Sequence, residues 1–161
     1  MRHAAALGLA VGLTLMLAGQ ALGATPVSVP ARDGWVSTGI NVTAGQTVNV
    51  VTLGSTHTAP IPAFHVPGVF KSASGPAGQT AGMTCGEAYA TFSDDLKAAT
   101  GPCALDAAYF GELIGRVGGV TFRIGATTSF VAPASGTLEL AVNDLTLTYG
   151  DNVGAYTVVF P

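Results

Sequence analysis

The C-terminal half of the chain alternates apolar and polar residues with a period of two, the mark of strands with one buried face. In "TLELAVND" Leu138, Leu140 and Val142 share a face, and in "GAYTVVFP" Tyr156, Val158 and Phe160 do the same. "ELIGRVGGVTFRIG", from Glu112 to Gly125, repeats the pattern on both sides of Gly118 and Gly119 and predicts a hairpin. "GWVSTGINVTAGQTVNVVTLG", from Gly34 to Gly54, predicts a second one. There Ile40, Val42, Val48 and Val50 line one face, and Gly45 takes the positive φ of the turn.

Long helical periods are missing, and Thr, Val and Gly abound. The pattern therefore predicts an all-β fold, an antiparallel β-sandwich or jelly roll. The middle of the chain departs from it. "TAPIPAFHVPGVFKSASGPAGQTAG" is rich in Pro, Gly and Ser, and "GEAYATFSDDLKAATGP" admits one short helix begun near Ser93 and ended by Gly101 and Pro102. A long Pro/Gly-rich insertion, 58–102, thus interrupts the strand frame, and loops of that length are often functional.

Export changes the picture at the N-terminus. Arg2 precedes an apolar run from about Ala4 to Ala18 and small residues in "ALGA", which predicts a secretory signal peptide over 1–24, cleaved after Gly23 or Ala24. The run is too short and wrongly flanked for a membrane span. A single domain over 25–161 is expected, secreted or periplasmic, with about 137 residues to build a core. The leader takes Arg2 with it and leaves five basic against nine acidic residues, a net charge of −4. Nucleic acid is an unsuitable partner for such a surface, since its backbone demands clustered cations. In an oxidising compartment Cys85 and Cys103 read as a disulfide, the alternative being two buried free thiols.

The last two strands are expected to pair antiparallel, and between them lies "DLTLTYGDNVG". It carries two carboxylates, an amide and a threonine within Asp144 to Asn152. Calcium takes six to eight oxygens, and Asp144, Asp151, Asn152 and the carbonyl of Thr148 offer four; the spacing is not that of an EF-hand. The competing reading makes Asp and Asn simple turn formers, whose side chains cap backbone amides.

"TLELAVNDLTLTYGDNVGAYTVVF" resembles the C-terminal segment of the PA-I type galactophilic (LecA-like) lectins, calcium lectins with a galactose-binding jelly-roll fold. "INVTAGQTVNVVTLG", "GELIGRVGG" and "SFVAPASGTLEL" resemble their earlier strands. About 80 residues take part, and the middle insertion has no counterpart. The resemblance implies Ca2+ held by Asp144, the Thr148 carbonyl, Asp151 and Asn152. A further backbone oxygen would come from Thr58, with His57 as a one-residue alternative. Asp151 stands where the family has asparagine, which keeps an oxygen ligand and adds a negative charge. The family's histidine and glutamine sugar contacts fall in the region that the insertion replaces; His57, near the predicted metal, and Leu145 and Tyr149, within its loop, are the candidate sugar contacts. His65 and Gln79 lie in the insertion without matching context and read as loop residues, and Trp35, which could stack on a sugar, reads as a packing residue.

Two functions follow from these residues. One is a secreted, bacterial, calcium-dependent carbohydrate-binding protein, lectin-like, whose calcium takes vicinal hydroxyls of a galactoside or similar glycan. The other is a non-lectin envelope or interaction domain, with a structural calcium site and an envelope protein as partner. An enzyme is not expected: neither G-x-S-x-G nor H-E-x-x-H occurs, and adjacent Asp94 and Asp95 point to different sides of any helix or strand.

Overall fold

The computed structural model describes residues 26–57, 73–74, 76–78 and 83–161. It is an antiparallel β-sandwich. One sheet holds β1 (Pro26–Pro30), β10 (Val153–Val159), β4 (Val51–His57) and β5 (Ala73–Ser74), in that spatial order. The other holds β2 (Val36–Val42), β9 (Gly136–Val142), β6 (Leu113–Val117) and β7 (Val120–Arg123). β3 (Thr47–Asn49) and β8 (Ser129–Val131) form a separate pair.

The alternating apolar faces meet between the two sheets. Val29, Tyr156 and Val158 come from one side and Leu113, Val117, Leu138, Leu140 and Val142 from the other, all fully buried in one cluster. The faces read from the sequence on β9 and β10 are therefore the core faces. The β6–β7 hairpin also forms as expected: Gly118 and Gly119 have φ of 56° and 81°, and Val117 pairs with Val120.

The segment 34–54 is not a hairpin. Its turn exists, with the amide of Gln46 donating to the Thr43 carbonyl at 2.9 Å and Gly45 at φ 81°. The flanking strands diverge, however, β2 pairing with β9, β3 with β8 and β4 with β10. The turn's outward backbone groups explain this, since the amide of Gly45 donates to the carbonyl of Ala132 and the amide of Ala132 to that of Gln46. Alternation marks a strand's buried face but leaves its partner undecided.

The Asp144–Asn152 loop likewise does not join paired strands. β9 and β10 belong to opposite sheets, and the loop crosses from one to the other. Both strands turn an apolar face into the same core, from opposite sides of it. Strand β1 was not expected from the sequence. It lies at a sheet edge, where proline's missing N–H is tolerated.

The second half of the insertion is helical. α1 (Cys85–Ala90) opens with a capping box, in which the Thr84 hydroxyl accepts from the Glu87 amide and the Glu87 carboxylate accepts from the Thr84 amide. α2 (Asp94–Thr100) is capped by Ser93 and stopped by Gly101 at φ 68°, as the sequence predicts. Cys85 and Cys103 are bonded and form, with Ala88, Phe92, Leu96, Phe110 and Leu145, a second apolar cluster.

Candidate functional site

The crossover loop leaves the end of β9 through Asn143, which is fully buried and acts as a staple. Its side-chain amide donates to the carbonyls of Leu105, Ala108 and Tyr109 at 3.0, 3.1 and 3.2 Å, and its side-chain oxygen accepts from the Leu105 amide at 2.9 Å. Sequence reasoning missed this residue. Its only signal was an asparagine directly before Asp144 at the end of an apolar strand.

Beyond Asn143 the loop lies along the segment that follows α2. The Ala104 amide donates to the Asp144 carbonyl at 3.0 Å, the Thr146 amide to the Pro102 carbonyl at 2.9 Å and the Leu147 amide to the Thr100 carbonyl at 2.9 Å. Cys103 bridges Leu145 in the middle of this ladder, so the disulfide anchors the strip of backbone that backs the loop. Leu145 turns its side chain into the disulfide cluster and is buried. Only its backbone remains to meet a ligand.

Asp144 is the central polar group, at 5% exposure. One carboxylate oxygen accepts from the Leu145 amide at 2.7 Å and the other from the Asn152 side-chain amide at 2.6 Å. Burial pushes its pKa up to about 6; the Asn152 and Leu145 donors act against that rise, and the charge of Asp151 adds to it. Asn152 is itself buried and also donates to the Ala31 carbonyl at 3.3 Å, which ties the loop to the end of β1.

Asp151 lies in a 3-10 turn, Tyr149–Asp151, and is exposed, its carboxyl also raised by partial burial. Its amide donates to the Thr148 carbonyl at 3.2 Å, which places that carbonyl inside the turn with a lone pair to spare. Among the described residues no Lys or Arg pairs with Asp144 or Asp151.

Tyr149 is half-buried. Its ring covers Gly34, where a Cβ would meet ring carbons at 3.7 Å, and its hydroxyl is buried with no hydrogen-bond partner among the described residues. Burial and the charge of Asp144 hold the phenol above its ordinary pKa, against the pull of Arg116. Arg116 stands 4.3 Å over the ring of Trp35 and grips Glu139 through two hydrogen bonds of 2.8 and 3.0 Å. Trp35 thus packs, under a guanidinium and against Ile114 and Ala141, as expected.

His57 ends β4 and pairs with Val153, the residue after Asn152. The register therefore brings the end of β4 beside the end of the crossover loop. Thr58, His65 and Gln79 lie outside the described residues. Among the described residues no group of three His, Cys, Asp or Glu side chains could hold a metal alone. Any cation here would depend on amide and carbonyl oxygens beside the carboxylates.

No protein-family model and no curated protein matches the chain. Among solved structures the chain is similar to the N-terminal domain of EclA, described as a PllA-like lectin. The TM-score is 0.52 at 19% sequence identity, and the match covers 83% of this chain and 92% of that one. With its two four-stranded antiparallel sheets, this chain shares its β-sandwich fold with that lectin domain.

Proposed function

We propose that the chain is a secreted, calcium-dependent carbohydrate-binding protein whose site is the Asp144–Asn152 loop. The observation that carries the proposal is the Asp144 carboxylate, buried without a cationic partner among the described residues, in a loop that also presents Asp151, Asn152 and the Thr148 carbonyl. A buried carboxylate left unpaired is costly, and a hard divalent cation relieves that cost through oxygen ligands alone. The donor set fits calcium, and a further backbone oxygen would come from Thr58, which lies outside the described residues, or from His57 at the end of β4.

Asp144 and Asp151 would neutralise the ion, while Asn152 and Thr148 add neutral oxygens. When bound, calcium supplies open coordination positions for vicinal hydroxyls of a galactoside or similar glycan. Around it the chain's own residues set the geometry: the 100–104 strip fixes the loop from behind, and Tyr149 with Gly34 fills one flank. The leader expected at 1–24 and the Cys85–Cys103 disulfide support a secreted or periplasmic setting.

A glycan array probed with calcium and again with chelator tests this reading, together with calorimetry on Asp144→Asn and Asp151→Asn. Each variant is expected to lose calcium affinity at least tenfold and glycan binding in proportion. Wild-type calcium affinity in both variants would overturn the site. Calcium binding without any glycan would instead leave an interaction domain with a structural ion.

A further inference from the structure

We propose that Trp35, Arg116 and Glu139 form a second-sugar subsite, on which the next ring of a neutral oligosaccharide rests while its terminal sugar is held at the Asp144–Asn152 loop. The inference rests on the carbohydrate reading above. It adds a contact outside the loop, and with it a preference for chains over single sugars.

Arg116 and Glu139 are cross-strand partners on the outer face of the second sheet, because their neighbours Val117, Leu138 and Leu140 point into the core. In the adjoining row of that face, Ile114 and Ala141 pack against Trp35 and against Ala104, Leu105 and Ala108. The cover ends there. The side chains of Arg116 and Glu139 are each 33% exposed.

The guanidinium is fixed from two sides, by the Trp35 ring 4.3 Å away and by Glu139, which accepts from Nε at 2.8 Å and from Nη2 at 3.0 Å. A fork held in this way loses little freedom when it binds. Nη1 has no acceptor among the described residues, and the Glu139 oxygens keep lone pairs to spare. The indole N–H of Trp35 likewise donates to none of the described residues. Donors and acceptors thus stand side by side on a patch of no net charge. Adjacent hydroxyls, each able to donate and to accept, match that arrangement. An anionic sugar would find the guanidinium already neutralised by Glu139, so the patch selects an uncharged ring.

Tyr149 joins the patch to the loop. It opens the 3-10 turn between Thr148 and Asn152, and its ring covers Gly34, the residue before Trp35. Ser37, two residues beyond Trp35, pairs with Glu139. Two residues of extended chain rise about 6.6 Å, so the polar pair lies one short step from the loop's border, within reach of a sugar linked to the first.

Trp35 is the only tryptophan of the chain, so its emission reports on the patch. Titrations in millimolar calcium, by calorimetry and by emission, compare free galactose with a set of neutral trisaccharides ending in galactose. The best trisaccharide is expected to bind at least about fivefold more tightly, the gain of roughly one net hydrogen bond, and to shift the emission that galactose leaves unchanged. Arg116→Lys and Glu139→Gln should each bring the trisaccharide down to the affinity of galactose. Galactose and calcium affinities should stay within about twofold in both variants, since sites without shared partners act independently. Thermal midpoints near the parent's confirm that the variants fold. A trisaccharide advantage that survives both substitutions, or that is absent from a parent that binds galactose, overturns the subsite and leaves the loop reading intact. A trisaccharide with an acidic second sugar that binds more tightly than the neutral set also overturns it. Galactose that fails to bind in calcium overturns the loop reading, and the subsite with it.

Discussion

Asp144 can be read as a proton switch as well as a ligand. In calcium-free protein its carboxyl titrates at about 6, against an ordinary value of 3.8. The folded chain then holds more protons than the unfolded chain between those two values, so stability falls as pH rises from about 4 to about 6. The full difference corresponds to about 3 kcal/mol. Thermal midpoints measured in chelator across that range are expected to decline, and Asp144→Asn should flatten the decline. An unchanged slope in the variant would assign the effect to another group. Calcium affinity should weaken as pH drops below about 6, because the proton competes for the same oxygens. His57 offers a contrast. Only a backbone oxygen would come from that position, so His57→Ala should leave calcium affinity within about twofold in calorimetry while glycan affinity falls.

At the scale of elements, the loop is held by a strip of chain that is itself held by a covalent bond. Cys103→Ser should lower stability by about 3 kcal/mol in chemical denaturation, the loss expected for opening a loop of this size. It should also speed hydrogen exchange at Thr146 and Leu147, whose amides donate to Pro102 and Thr100. Exchange that stays at the parent rate would detach the disulfide from the site. Gly154 is a second element-level test. It has φ 91°, and a Cβ there would run into the Ser55 carbonyl of β4. Gly154→Ala should therefore cost about 2 kcal/mol or more, a backbone and overpacking effect combined.

These elements also show what could be read in advance. The buried faces of β9 and β10, the Gly118–Gly119 hairpin and the Ser93 to Gly101 helix each depend on near neighbours in sequence, and periodicity and capping disclose them. The pairing of β2 with β9, the placing of β9 and β10 in opposite sheets and the docking of 100–104 along the loop depend on residues far apart in the chain. Local alternation carries no information about such partners. Of the candidate site, the clustering of Asp144, Thr148, Asp151 and Asn152 was legible because one loop supplies them. The Asn143 staple and the inward turn of Leu145 were not, because chain some 35 to 60 residues away provides the other half of each contact, Leu105 to Tyr109 for the one and the disulfide cluster for the other.

For the molecule as a whole, an ion bound only by the folded state raises stability by mass action, by about 2.7 kcal/mol at a hundred times its Kd. A thermal scan in millimolar calcium is expected to give a higher midpoint than one in chelator. Equal midpoints would leave Asp144 and Asp151 as turn formers. The placing of β10 has a further consequence, for the order of events in synthesis. Among the described strands it comes last in sequence, yet it lies between β1 and β4 and sends Tyr156 and Val158 into the core. Until it emerges from the ribosome, the first sheet has no middle and the sandwich cannot close. A chain built only as far as β9 therefore has two halves of one sheet, β1 on one side and β4 on the other, with nothing to join them.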